Sequence, residues 1–222
     1  MDIEDSALGS EDAAQATYAA DALRNQELGE FAYALVTSRQ NVSPRRLFAP
    51  APNADQLLRI LEAASAAPDH GTIVPWRFVI VPEDARELLG QAFAAALADR
   101  DPHATDADLA AAREKAQRAP LLMLAIVRLA APADAIPDFD RLISLGCAIQ
   151  NMLVTVHSLG YGAGLTSGRA LRSPSLRDLF RLAENEHAVC FINIGTVSKR
   201  KPLRPRPPVA AFTSTLQATS QA

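Results

Sequence analysis

Apolar positions along this chain follow two periods, and each period names its element. Leu57, Ile60, Leu61 and Ala64 recur at i, i+3, i+4 and i+7, which places them on one face of a helix. Asn53, with Gln56 three residues on, supplies the capping pair that opens such a helix, and Pro68 marks the limit before which it must stop. Alanine and leucine dominate from about Ala14 to Ser38, Asp84 to Ala98 and Asp106 to Arg118, so each of these reads as helical. Arg77 to Val81 reads as a strand closed by Pro82. Leu121 to Leu129 is a continuous apolar run of strand length, as expected for a central strand buried on both faces.

Asp138 to Leu159 is a long helix apolar nearly all round, which requires cover from several neighbours or from a second subunit. Gly160 is placed to end it in a left-handed cap. A short extended segment follows, Gly162 to Gly168; then comes a helix opened by Ser173 with Pro174 at its first position, and then a strand from His187 to Gly195. Pro44, Pro50 and Pro52 impose an extended connector on the earlier part of the chain. The pattern holds about four strands and six helices in alternation without an internal repeat, and it predicts a single sheet flanked by helices, α/β or α+β.

Composition narrows this picture. Aromatic residues make up 5% of the 222 positions, so the core is built largely from small aliphatic contacts. The net charge of −3 conceals two unequal ends: residues 1–30 hold eight acidic side chains against Arg24 alone, and residues 199–222 hold five basic side chains and no acidic one. The acidic residues 1–14 are weakly periodic and are expected to be disordered or frayed. The basic cluster is short and lacks interleaved aromatics, so nucleic acid is not an expected partner. Cys147 and Cys190 lie in apolar stretches without CxxC spacing, and His70, His103, His157 and His187 form no metal motif; two reduced cysteines and no metal are expected. The most apolar stretch, Leu142 to Leu159, is interrupted by Gln150, Asn151 and His157, so no membrane span is expected and the protein is read as cytoplasmic.

Three segments carry candidate chemistry. Ser38 to Leu47 sets arginines and hydrogen-bonding amides at a helix end, a combination that suits a phosphate monoester and equally suits a solvated charged turn. Ala67 to Phe78 contains two prolines, a glycine, an Asp-His pair and the single tryptophan, between an amphipathic helix and a strand. Such a rigid loop can present backbone donors and a ring to a ligand; the plainer reading has Trp76 plugging the core. Gly160-Tyr161-Gly162-Ala163-Gly164 follows a helix and leads into an extended segment, the reverse of a dinucleotide-binding fingerprint, so it reads as a helix stop with tight backbone packing.

The first two segments, Arg39-Gln40-Asn41-Val42-Ser43-Pro44-Arg45-Arg46-Leu47 and Ala67 to Phe78, resemble the RRSVSPKRL and APDHGxxxPWRF motifs of the nitroreductase superfamily in its YdjA-like branch, at the expected separation. The resemblance runs from about Leu35 to Phe212. It implies an α+β, three-layer α/β/α subunit with a mainly antiparallel central sheet. The long helix would lie at the interface of a homodimer, with FMN sites shared between chains. Residues 1–30 would then be an acidic extension, 31–212 the FMN-binding domain and 213–222 a tail.

By residue matching, Arg39, Gln40 and Asn41 fall at the flavin phosphate and ribityl chain, and His70 falls where the family places a contact from the neighbouring subunit. Pro75 and Trp76 match the loop beside the isoalloxazine, and Leu165, Thr166 and Ser167 a three-residue flavin contact. Gln40, Asn41, Thr166 and Ala66 replace residues usual in the family, and Arg204 and Arg206 are candidates to restore the lost positive charge. The implied activity is transfer of hydride from NADH or NADPH through FMN to a nitroaromatic, quinone or related small electron-poor acceptor, with ping-pong kinetics and no protein nucleophile. The alternatives are a flavin-binding protein with little turnover, and a helical interaction protein without cofactor.

Overall fold

The computed structural model describes residues 23–131, 134–199 and 201–217. A first helix, α1, runs through 23–38, so the division expected at 30/31 falls inside a helix; the acidic residues 1–14 lie outside the described residues. The following elements are β1 (Leu47–Phe48), α2 (Ala54–Ser65), β2 (Trp76–Ile80), α3 (Arg86–Ala98), α4 (Asp106–Glu114), β3 (Leu121–Arg128), α5 (Asp138–Ser158), β4 (Gly162–Thr166), α6 (Pro174–Leu179) and β5 (Glu186–Val197).

Local chemistry sets the helix limits. Asn53 and Gln56 form the reciprocal capping box expected of them, and Thr105 with Asp108 does the same for α4. At the far end of α5 the Gly160 N–H bonds His157 O, the Tyr161 N–H bonds Val156 O, and Gly160 takes φ +86°, the left-handed stop expected there.

The sheet runs β1-β5-β3-β2, with β4 also paired to β5, and every pairing between these strands is antiparallel. The two-residue β1 has no counterpart in the sequence pattern. It is defined by its partner, since Leu47 and Phe48 pair with Val197 and Thr196.

The apolar run of β3 divides between two layers because side chains alternate across a strand. Leu121, Met123, Ala125 and Val127 join a core with α2 and α5, while Leu122, Leu124 and Ile126 join one with α3 and α6. The result is the three-layer α+β arrangement. One β-bulge opposite Ala125 and Ile126 turns both Val189 and Cys190 of β5 toward the α5 layer. Both cysteines are free, and burial raises the Cys190 thiol to about 11.

Helix α5 is amphipathic rather than buried all round. Leu145, Ala148, Met152, Leu153 and Val156 seal the core, whereas Phe139 and Ile143 are 79% and 63% exposed. Helix α1 likewise exposes Leu23, Leu28, Phe31 and Tyr33.

Candidate functional site

The segment after α1 crosses the exposed edge of the sheet. Asn41 bridges Ala163 of β4 in parallel, and the Val42 N–H donates to Ala163 O at 2.8 Å. So close a crossing needs a glycine beneath it: a Cβ on Gly164 would lie 2.0 Å from Val42 O. A Cβ on Gly162 would likewise lie 2.3 Å from Val197 Cγ2 and 3.2 Å from Val42 Cγ2, whereas Gly160 serves the helix stop.

The crossing brings Arg39, Gln40, Asn41, Leu165 and Arg206 together. Arg206 Nη2 donates to Arg39 O at 2.8 Å, Gln40 Nε2 to Lys201 O at 3.1 Å, and the Leu165 N–H to Asn41 Oδ1 at 2.9 Å. His157, near the last turn of α5, meets Ser38 Oγ at 2.8 Å.

Charge balance distinguishes this cluster. Arg39 Nε is buried without a hydrogen-bond partner, and the guanidinium is held below its ordinary pKa first by burial and then by Arg206. Neither arginine forms an ion pair among the described residues. Two guanidinia drawn together with no carboxylate between them make a place for an anion. The residues present therefore fit the phosphate of a mononucleotide. Arg204 is exposed and makes no such contact.

The other candidate residues lie elsewhere. His70 is in a short 3-10 turn, 66% exposed at the side chain, with Nδ1 2.7 Å from Asp140 Oδ2 in the first turn of α5. Pro75 is buried, and Trp76 packs in the α2/α5 core, paired with Val127, so its side chain plugs the core. Asp140 and His157 are seventeen residues apart on one helix, a separation of about 25 Å at 1.5 Å per residue. Within one subunit, His70 and Arg39 thus sit at opposite ends of α5.

Strand alternation also divides the Leu165–Ser167 segment. Leu165 shares a face with Ala163, which lies in the α5 core. Thr166 points the other way, where Oγ1 accepts from Asn193 Nδ2 at 3.0 Å. Thr166, Ser167 and Gly168 line a cavity of about 250 Å³ under α3 and α4. Asn193, the one polar residue in the run Ala188 to Gly195 of β5, was not singled out by the sequence; a lone polar residue there is a signal that could have found it.

Among the described residues no group of His, Cys, Asp and Glu is arranged to hold a metal, and no helix is long and apolar enough to cross a membrane.

A nitroreductase family model matches residues 39–196, and the chain belongs to that family. It is 32% identical over 164 residues to the putative NAD(P)H nitroreductase YdjA of Escherichia coli K12, covering 73% of this chain and 86% of that one. The nitroreductase-like family protein of Bacillus cereus superimposes with a TM-score of 0.71 at 18% identity, over 84% of this chain and 96% of that one. A nitroreductase of Bacteroides fragilis with bound FMN gives 0.61 at 21% identity, over 83% and 98%.

Proposed function

We propose that this protein is an FMN-dependent NAD(P)H oxidoreductase that acts as a homodimer and reduces a small electron-poor acceptor such as a nitroaromatic or a quinone. The observation that carries the reading is the pair Arg39 and Arg206, two cations without a counter-ion, one of them with a buried unpartnered N–H. A phosphate dianion would satisfy both. FMN, when bound, supplies two-electron redox chemistry that no side chain offers.

The chain's own residues have positioning work. Asn41 fixes the Leu165 amide, and Asn193 fixes Thr166 from the opposite face, so the end of β4 is held rigid from both sides. Gln40 is tied to the Lys201 carbonyl and thereby anchors the basic C-terminal segment near Arg39. Positive charge on that segment compensates for the glutamine at position 40.

The homodimer follows from two features. The exposed apolar surfaces of α5 and α1 need cover, and a second copy whose α5 runs antiparallel to the first would carry its His70 to the Arg39 end. One slot that alternately holds donor and acceptor gives ping-pong kinetics.

The test is an absorbance spectrum of the purified protein, followed by NAD(P)H oxidation with a nitroaromatic or quinone. The expected result is bound flavin and acceptor-dependent turnover. Colourless protein that ignores added FMN would refute the reading, and yellow protein without turnover would favour a flavin-binding protein instead.

A further inference from the structure

Of the three non-glycine residues with positive φ among the described residues, two, Thr72 and Val74, lie in the loop that carries His70 between α2 and β2. Thr72 has φ +52° and Val74 φ +44°, and Gly71 beside them has φ +73°. Glycine accepts the left-handed region freely, and position 71 has no room for more, since a Cβ there would lie 2.7 Å from Ile136 Cδ1. Threonine and valine are β-branched, the residue type for which that region is least accessible. Neither recovers the cost by burial: both side chains are exposed, Val74 to 52%. Strain of this kind persists only where the surroundings over-determine it.

What over-determines it is Asp69. Its carbonyl accepts the Thr72 N–H at 3.1 Å and its carboxylate Oδ2 accepts the Val74 N–H at 2.7 Å, so both strained residues donate to this one. The loop is fixed on either flank. Ala67 is buried before it; after it Pro75 O accepts the Arg128 N–H at 2.7 Å, and Trp76 packs into the core. The other carboxylate oxygen of Asp69, Oδ1, is buried without a partner, so the carboxylate holds the loop at a cost in stability.

We infer that Asp69 is a positioning residue: its carboxylate pins residues 70–74 in a strained left-handed path and so presets this loop, His70 included, for the flavin site of the neighbouring subunit. Without the pin, Thr72 and Val74 relax toward negative φ, and the path that aims the loop is lost. The presetting rests on the flavin and dimer reading above; the pin itself does not.

Amide hydrogen exchange over residues 69–75 tests the pin, and FMN titration tests its consequence. The proteins compared are the parent, Asp69→Ala, Asp69→Asn, Val74→Gly and Asp69→Ala/Val74→Gly. In Asp69→Ala the segment should exchange roughly tenfold faster, and FMN should bind roughly tenfold more weakly. Asp69→Asn keeps an oxygen for the Val74 N–H and should stay within about threefold of the parent on both measures. Glycine at 74 adopts positive φ without strain, so in the Val74→Gly background the removal of Asp69 should cost less than about threefold in FMN affinity. A side chain that touched the flavin itself, or acted through its charge, would cost the same in both backgrounds. Unchanged exchange in Asp69→Ala, an Asn variant as impaired as the Ala variant, or equal losses of FMN affinity in the two backgrounds overturns the inference and leaves the flavin reading intact. A parent protein that binds no FMN sinks that reading and the presetting together, while the exchange rates still stand for or against the pin.

Discussion

The two ends of α5 are built on opposite principles. Around Asp140, charge is matched within the chain: His70 meets Asp140, Arg141 meets Asp134 at 2.8 Å, Asp138 accepts from the Ala130 N–H, and the neighbouring Arg77–Glu186 pair is bidentate with both contacts at 2.8 Å. Toward the His157 end, Arg206 donates to the Arg39 carbonyl, burial and then the Arg206 charge lower the Arg39 pKa, neither arginine has a counter-ion among the described residues, and Arg39 Nε has no acceptor. A protein that leaves a buried polar atom unmet forgoes stability there, and each end does so once, at Arg39 Nε and at Asp69 Oδ1 beside His70. What separates the ends is charge: the first pairs its ions within the chain, whereas the second holds two arginines that form no ion pair among the described residues.

Breaking the proposed dimer should have the largest effect. Phe139→Arg/Ile143→Arg places cations on the exposed apolar face of α5. It should yield monomers by light scattering and weaken FMN binding by more than a hundredfold, because the two ends of α5 could then no longer meet. A monomer with unchanged FMN affinity would show that one subunit holds the whole site.

Arg39→Ala should weaken FMN binding by ten- to a hundredfold, about 1.5 to 3 kcal/mol for a lost charge-assisted contact, whereas Arg45→Ala should change it by less than twofold. The thermal midpoint of flavin-free protein should not fall in Arg39→Ala, since the change removes a partly buried cation that has no partner. Equal dissociation constants for the two variants would mean that the anion site lies elsewhere.

Glu186→Gln should do the converse: a loss of about 2 kcal/mol in urea unfolding at pH 7, where one partner of a half-buried pair is removed, with FMN affinity unchanged. Its carboxyl is held down to about 2, chiefly by the Arg77 hydrogen bonds. A carboxyl with a depressed folded pKa stabilises above its unfolded value and loses that contribution as pH falls through the folded one. The gap between parent and variant should therefore be full above about pH 5 and close toward pH 2. A constant gap over that range would mean that the pair's charge is irrelevant.

The smallest effect is expected at His70→Ala. Its exposed pair with Asp140 should contribute no more than about 1 kcal/mol to stability, so any loss of FMN affinity several times larger than that implies would have to come from contact across the dimer.

Much of this molecule was legible without coordinates, for identifiable reasons. The capping box at Asn53, the left-handed stop at Gly160 and the split allegiance of β3 depend on neighbours in sequence or on strand alternation, which local chemistry dictates. The motif at Arg39 likewise named the residues of the candidate site before their arrangement was known. Distant contacts decided four things, two of which the sequence had raised without settling, Arg206 as one of two candidate cations and Trp76 as a core plug. The partner strand β5 makes β1, Arg206 is drawn back to Arg39 across more than 160 residues, Trp76 turns into the core, and Thr166 faces Asn193 rather than Leu165's side. Local sequence carries propensity and period; it does not carry which remote group will lie opposite, because that is decided by how two layers of helices close on one sheet. The charge on the chain was therefore written in the sequence, but only the tertiary structure decided where that charge would go unmatched.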